Sequence, residues 1–544
     1  MFRSLAPLAL FLPALAAAGC SDDDSTPDSG ADVPAETEAG ADADADGDAD
    51  GSPEDVVVDD AALWPDAPVD VRFPDGFLWG TASAAYQVEG RAAPDGGSIA
   101  SNWSEWEDQL HVIDHQTSGR GAGFWELYEQ DLDRAVSMGH NAIRLGLEWA
   151  RIEPERDVWD DVPLDHYRTV VQAARSRGLQ VFVTLYHWVV PTWVQSPRTG
   201  VDLLSDPGTE FEDQFEEFAR HVVPVLAADV DQWVPLNEPF TVMSAGYLSA
   251  DHPPGGILDL EGAQTAGVHF IFAHARAAAA IRELDLVDAD GDTVPALVGN
   301  AAVANLFPPK NPADPDDVFA SERIEYIVND VFPEAWTSGR LDVNMDGDFD
   351  DLDTDPPEGT YPELAGTLDW LGVNYYGPGR AEAGAFRAIA PLHGLPLIDV
   401  DKYDPLLPHN EMRREIDAGG FLATLRRYRH WDLPLYITEN GCSDSGDSQR
   451  PFYLLEHVRV LGVALAEGVD LRGYLHWSLT DNFEWSYGFG ERFGLYRIDF
   501  TDEALPREET AAARLYRALA AANGIDDALW DAWSLPRYPT DGRP

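Results

Sequence analysis

The 544 residues carry 97 acidic side chains against 36 basic ones, a formal charge of −61, with 44% hydrophobic residues and 17 Trp. That balance excludes a nucleic-acid binder, which needs a basic face, and the apolar content excludes a wholly disordered chain. Two cysteines, Cys20 and Cys442, exclude a disulfide scaffold.

Residues 1–19 read as a secretory signal: Arg3, an apolar run over 5–18, then Ala-Ala-Gly before Cys20. The Cys after small residues resembles a bacterial lipoprotein signal, with Cys20 as the lipidated residue; an ordinary signal cut nearby is the alternative. Ser21 stands where an Asp would mark inner-membrane retention, so an extracytoplasmic, outer-membrane location is expected. Residues 20–70 form an acidic low-complexity tether, with 18 acidic and no basic residues over 21–70 and Trp64 as the lone aromatic. Such a segment lacks the apolar surface to order itself, and its like charges extend it. No later apolar run reaches the ~18 residues that span a bilayer, so membrane contact is expected through the lipid anchor only. Only Lys310 and Lys402 occur among lysines; an acidic, lysine-poor surface suits high salt, where self-repulsion is screened, and genomic base composition giving the same Arg-for-Lys bias is the alternative.

From 71 to 530 one pattern repeats: an amphipathic helix, a break, an apolar strand. Leu127, Leu132, Ala135, Val136 and Met138 stripe a helix that Gly139 ends, and NAIRLGLEW follows. Tyr167, Val170, Val171 and Ala174 repeat the stripe up to Gly178, before VFVTLYHW; Phe211, Phe215, Phe218 and Val222 lead to VDQWVPLN. Further strands are expected at 77–80, 296–303, 368–376, 435–440 and 473–479. Continuous apolar strands alternating with helices imply a parallel sheet under helices. Polar or aromatic residues close nearly every strand: Gln87 just after the first, then Glu148, His187, Asn237-Glu238, Asn374, Glu439 and Trp477. Polar strand ends contributed by many strands favour a (β/α)8 TIM barrel, with insertions in the βα loops, over an open doubly wound sheet. Residues 531–544 are left as a tail.

Two strands end in a Glu flanked by Asn, at Asn237-Glu238-Pro239 and Glu439-Asn440-Gly441. A carboxylate at the end of a buried strand is costly without a task or a partner. Two facing one pocket suit glycosidic-bond cleavage, one protonating the leaving oxygen and the other attacking the anomeric carbon. Helix capping or a structural ion pair is the alternative for either one alone.

The stretches FPDGFLWGTASAAYQVEG (73–90), RLGLEWARIEP (144–154), TLYHW (184–188), NEP (237–239), GVNYY (372–376), ITENG (437–441), WSLTDNFEW (477–485) and RFGLYRIDF (492–500) resemble glycoside hydrolase family 1. That is a family of retaining β-glucosidases and β-galactosidases, and SIASNWSEWE (98–107) is similar to its archaeal-type branch. The resemblance implies that Glu238 is the acid/base and Glu439 the nucleophile, with carboxyl groups ~5–5.5 Å apart. It implies that Arg144 and Tyr376 hold the nucleophile ionised, and that Asn237 takes the sugar 2-hydroxyl. Gln87, His187, Glu484 and Trp485 are implied on the glycone hydroxyls, Trp477 as the platform under the ring, and Trp188, Asn374 and Phe493 beside the substrate. Core packing is the alternative for the aromatics, above all Phe493.

Val189, Thr480 and Leu145-Gly146 depart from the family's usual residues without removing a proton-transfer or nucleophilic group. An expected substrate follows: a small soluble β-glucoside, with β-galactoside or β-fucoside as close alternatives, and no cofactor for the chemistry. A transglycosylase of the same family and a catalytically silent cell-surface sugar-binding protein are the other readings. Glu484 with no Lys over 486–493 implies an unphosphorylated glycone, leaving Arg492 to a structural role. Asp342, Asn344, Asp346, Asp348 and Asp353 fit a calcium-loop spacing; a solvated acidic loop is the alternative. DADGD (288–292) reads as a turn, QTSGRGAG (116–123) as a surface loop, and Cys442 as a small buried residue.

Overall fold

Eight apolar segments become strands: β1 (Leu78–Ala82), β2 (Ala142–Gly146), β3 (Gln180–Tyr186), β4 (Gln232–Leu236), β5 in two pieces (Leu297–Val298 and Ala302–Val303), β6 (Leu371–Tyr375), β7 (Leu435–Asn440) and β8 (Leu471–His476). The computed structural model describes residues 70–93, 96–208, 210–291, 293–383, 398–401 and 408–534. The expected signal, Cys20, the acidic tether and most of the tail lie outside the described residues. Every neighbouring pair in the main sheet is parallel. The two end members of that sheet are the halves of β5. Leu297–Val298 pairs with β4 and Ala302–Val303 with β6, and single bridges at Asn237–Ala301 and Gly299–Trp370 continue both seams. The sheet therefore closes on itself as the expected (β/α)8 barrel.

One long helix follows each strand: α1 (Phe124–Ser137), α2 (Asp161–Ser176), α3 (Phe211–Leu226), α4 (Leu260–Leu284), α5 (Pro315–Asn329), α6 (Ala418–Tyr428), α7 (Arg450–Ala466) and α8 (Ala511–Ala522). The expected stops hold, since Gly139 and Gly178 both take φ 82° just past α1 and α2. The helices turn their striped faces inward; Phe218 of α3, for example, stacks on Trp149, just past β2, with ring centroids 5.0 Å apart. Inside the barrel, Phe182, Trp370 and Tyr436 meet edge to face, with centroids 5.1–5.6 Å apart. The long β6–α6 connection carries an antiparallel hairpin, Arg380–Ala383 against Ile398–Asp401.

Three expectations need correction. The strand over 296–303 is broken, because the Trp370 indole occupies the side-chain side of Gly299; a Cβ there would stand 2.2 Å from the ring. Asn300 repairs the gap by accepting the Gly372 N–H on its Oδ1 at 3.0 Å. NAIRLGLEW stops being a strand at Gly146, because Glu148 caps a short helix, Trp149–Ile152, by accepting the Ala150 N–H. Segment 116–123 is not a free surface loop. Ser118 and Ala122 are fully buried, and a Cβ on Gly121 (φ 55°) would lie 2.7 Å from the Val88 backbone. This loop braces the short helix Ala85–Glu89 that carries Gln87, with Ala92 N–H donating to Gly119 O at 2.8 Å.

The two ends of the folded part meet below the barrel. Val71–Arg72 pairs antiparallel with Gly524–Ile525. Asn523 accepts the Trp79 indole N–H at 2.9 Å and donates to Phe73 O at 2.9 Å. A last helix, Asp527–Trp533, crosses the expected boundary at 530.

Candidate active site

Parallel closure brings the C-terminal strand ends to one mouth, and the two conspicuous carboxylates arrive there by different routes. Glu439 is still in β7, its side chain turned inward by the strand's alternation. Glu238 lies just past β4 in the left-handed region, φ 46° and ψ 60°, before Pro239 opens a short helix. Its N–H donates to Ala301 O at 2.8 Å, so the turn is anchored to the broken strand β5.

A single hydrogen-bonded chain joins them. The Arg144 guanidinium, fully buried, donates to Glu439 Oε1 at 2.6 Å, to Asn237 Oδ1 at 2.6 Å and to Thr184 Oγ1 at 2.9 Å. Asn374 Nδ2 donates to Asn237 Oδ1 at 3.2 Å and to Glu238 Oε1 at 2.7 Å. Tyr376 donates its hydroxyl to Glu439 Oε2 at 2.8 Å, and Thr241 donates to Glu238 Oε2 at 2.8 Å. Burial raises the Glu238 carboxyl above its ordinary range, against the hydrogen bonds of Asn374 and Thr241.

A second group gathers beside the pair. Gln87 donates to Asn482 Oδ1, Phe483 O and Glu484 Oε2 at 2.9–3.2 Å. Asn237 Nδ2 lies 3.1 Å from His187 Nε2. Arg144 fixes the orientation of that amide, so Nδ2 donates, Nε2 accepts and the ring proton sits on Nδ1. Burial, helped by the Arg144 charge, lowers the His187 pKa well below its usual value and keeps the ring neutral. Gln87 Oε1 and His187 Nδ1 are buried with no protein partner. An acceptor and a donor left this way suit a ligand rich in hydroxyls. Burial also pushes Glu484 up to about 8, with Arg414 opposing and Glu491 and Glu439 adding.

The aromatics close the pocket wall. Trp477 lies 6.1 Å from His187 at 29° between rings. Trp485 stacks parallel on Tyr86 at 6.2 Å and tilts against Trp188 at 4.8 Å and Trp103 at 4.6 Å. The Trp188 indole N–H is tied to Asn237 O at 3.1 Å. Phe493, 4% exposed, meets the Tyr376 ring edge at 6.0 Å and supports that ring.

Of the residues expected at the strand ends, Gln87, His187, Asn237, Glu238, Asn374, Glu439 and Trp477 are brought together, and Glu148 is not. Its carboxyl faces the helical layer near Glu89 and Arg151, and burial pushes it up to about 8. Arg492 is structural as expected, bonded to Asp481 Oδ2 and Ile498 O at 3.0 Å. Cys442 is buried. In the 342–353 loop, Asp342 accepts from the Tyr326 hydroxyl at 2.7 Å and from the Asp346 and Gly347 amides. Asn344, Asp346 and Asp351 accept from the Asp346, Asp348 and Asp353 amides. The Arg323 charge bears on Asp342, Asp346 and Asp348. Among the described residues, the carboxylates whose ligand atoms gather within 4.8 Å are Asp231, Asp288 and Asp290. Asp288 there folds the expected turn by accepting the Gly291 N–H at 2.7 Å. Sequence reasoning missed Thr184, Thr241 and Arg414. Thr241 sits three residues after Glu238, a spacing that could have found it; Arg414 stands in no motif.

Residues 69–525 match the family described as Glycosyl hydrolase family 1. The chain is 32% identical over 523 residues to "Beta-galactosidase" of Pyrococcus woesei, covering 83% of this chain and 98% of that protein. It is 29% identical over 482 residues to "Beta-glucosidase A" of Thermotoga maritima, covering 84% and 99%. Among solved structures, the β-glycosidase from Pyrococcus horikoshii matches with TM-score 0.72 at 26% identity, over 86% of this chain and 99% of that one. The family 1 β-glucosidase from Thermotoga maritima matches with TM-score 0.73 at 27% identity, over 85% and 100%.

The Glu484 environment has a measurable consequence. The folded chain holds this proton to about pH 8, while the unfolded chain releases it near 4.5. Across that window the fold binds the extra proton, so stability falls as pH rises through it. For Glu484→Gln, calorimetry should show the melting temperature gaining on wild type steadily from pH 4 to pH 9. A gap that moves the other way would show a carboxylate held charged.

Proposed function

The chain belongs to glycosyl hydrolase family 1 and is a retaining β-glycosidase, and we propose that it is an exo-acting β-glucosidase with Glu238 as acid/base and Glu439 as nucleophile. One asymmetry carries the roles. Glu439 touches a cation, Arg144 at 2.6 Å, whereas Glu238 is held by the neutral donors of Asn374 and Thr241. Burial raises both carboxyls, but the one in contact with a guanidinium ionises first. Glu238 then keeps the proton that the leaving group needs.

In the first step a Glu439 oxygen attacks the anomeric carbon, the bond to the aglycone oxygen breaks, and Glu238 passes its proton to that oxygen. Water next attacks the same carbon, yields a proton to Glu238 and frees Glu439, so configuration is inverted twice and retained. Gln87, His187 and Glu484 take the glycone hydroxyls, Asn237 the 2-hydroxyl, and Trp477 the apolar face of the ring. A galactoside or fucoside would present the same face, and transfer to an alcohol in place of water would use the same pair. A catalytically silent sugar-binding protein is disfavoured, because both carboxylates keep their supporting hydrogen bonds. The archaeal-type branch rests on the SIASNWSEWE stretch. Catalysis in the family needs no cofactor.

Proton magnetic resonance of an aryl β-glucoside digest should show the β anomer first, and an α product would mean inversion. Glu439→Ala should stop turnover, with azide restoring it as the α-glycosyl azide.

We also propose lipid anchoring at Cys20 in the outer membrane, supported by the signal-like residues before it and by Ser21 after it. Among the described residues, no helix is long and apolar enough to cross a membrane. The several acyl chains of a mature lipoprotein would hold the barrel where a single chain would not. Cys20→Ala should release the enzyme or block its processing; a variant still found with membranes would end the idea.

Calcium on the 342–353 loop is a separate proposal carried by the spacing alone, and the Arg323 charge works against it. A bound ion would raise the melting temperature by mass action. A melting temperature unmoved by chelator would remove it.

A further inference from the structure

Arg414 sits on a loop fixed from within and from outside. Asn410 Oδ1 accepts the Arg414 N–H at 3.0 Å, Asn410 N–H donates to Arg414 O at 2.9 Å, and Arg413 takes φ 56°. Met412 packs on the cluster that holds Trp477, Trp485 and Phe493, and Glu411 accepts the Ser445 N–H at 2.8 Å. The Arg414 guanidinium carbon stands 5.6 Å over the ring of Tyr376, whose hydroxyl holds Glu439. Its charge reaches Glu238, Glu484, Glu491 and Tyr487. Among the described residues, no carboxylate lies within ion-pair distance of it. A counter-ion for Glu484 or Glu491 would rest on one of them. This one is half-exposed beside Tyr376, and among the described residues its planar fork of N–H donors meets no acceptor.

Tyr376, under the Arg414 guanidinium, holds the nucleophile, and the half-exposed cation stands on the outer side of that ring, where a leaving group departs. We infer that Arg414 selects the aglycone and favours β-glycosides whose leaving group carries a carboxylate or a similar anion. The inference rests on the glycosidase reading. In a chain of charge −61 the surrounding field repels such a substrate unless a cation meets it. A phosphate on the glycone 6-hydroxyl is the other source of an anion, and it would fall against Glu484 and Glu491.

The test is the kcat/KM ratio of 3-carboxyphenyl to 3-carbamoylphenyl β-glucoside, in wild type, Arg414→Gln and Arg414→Lys. Any change in chemistry common to both substrates cancels in that ratio. Arg414→Gln should lower it roughly tenfold, the size of one hydrogen bond to a charged group. Arg414→Lys should keep most of it, and added salt should shrink it in wild type. A ratio unmoved by Arg414→Gln overturns the inference. So does hydrolysis of phenyl β-glucoside 6-phosphate that depends on Arg414, which places the anion on the glycone. If wild type hydrolyses neither aryl glucoside but does cleave the matching galactosides, the β-glucosidase reading fails and the same ratio is read on the galactoside pair; if it cleaves no aryl β-glycoside, this inference falls with the activity.

Discussion

The Arg144 guanidinium is the keystone of the molecule's upper half. It is fully buried on β2 and reaches β3 through Thr184, β4 through Asn237 and β7 through Glu439. A cation taken out of water at this depth is tolerable only because each donor finds an oxygen, one of them charged. The same three contacts set the registry of the site. They fix which way the Asn237 amide faces, and through it the tautomer of His187 and the position of Asn374 against Glu238. Breaking such a buried pair from one side typically costs about 3–5 kcal/mol. Stability and chemistry therefore draw on the same hydrogen bonds.

What surrounds the keystone makes those bonds strong. The edge-to-face trio of Phe182, Trp370 and Tyr436 fills the barrel below, and Trp103, Trp188 and Trp485 wall the mouth above. Between the two layers Arg144, Asn237, Asn374 and Glu439 are buried and the effective dielectric falls, so charges and hydrogen bonds act with more force than at the surface. The acidic exterior is far from this region in character: its ion pairs are mostly exposed arginine–carboxylate contacts such as Arg220 with Glu216 and Glu283. Exposed pairs of that kind contribute little each.

Much of this was legible in the residues. The apolar strands, the Gly stops and the two Glu-Asn junctions are local signals, and each survives in the fold near its expected place. Most of the misses share one physical cause, a partner far along the chain. Gly299 breaks β5 because of Trp370, and segment 116–123 is buried because Val88 backs onto Gly121. Glu148 turns away from the mouth toward Arg151 and the Glu89 layer. Asn374, expected against the sugar, is also the donor that holds Glu238. Arg414 carries no local pattern at all, and only the packing of its loop onto the aromatic cluster brings it to Tyr376.

The clasp between Val71–Arg72 and Gly524–Ile525 sets an orientation as well as a closure. All eight strands run the same way, Glu238 and Glu439 stand at their far ends, and the chain enters at the near end through Phe73 and Trp79. Whatever precedes residue 70 therefore joins the chain at the floor of the barrel. The mouth opens on the opposite side, so a substrate reaches it without passing that junction.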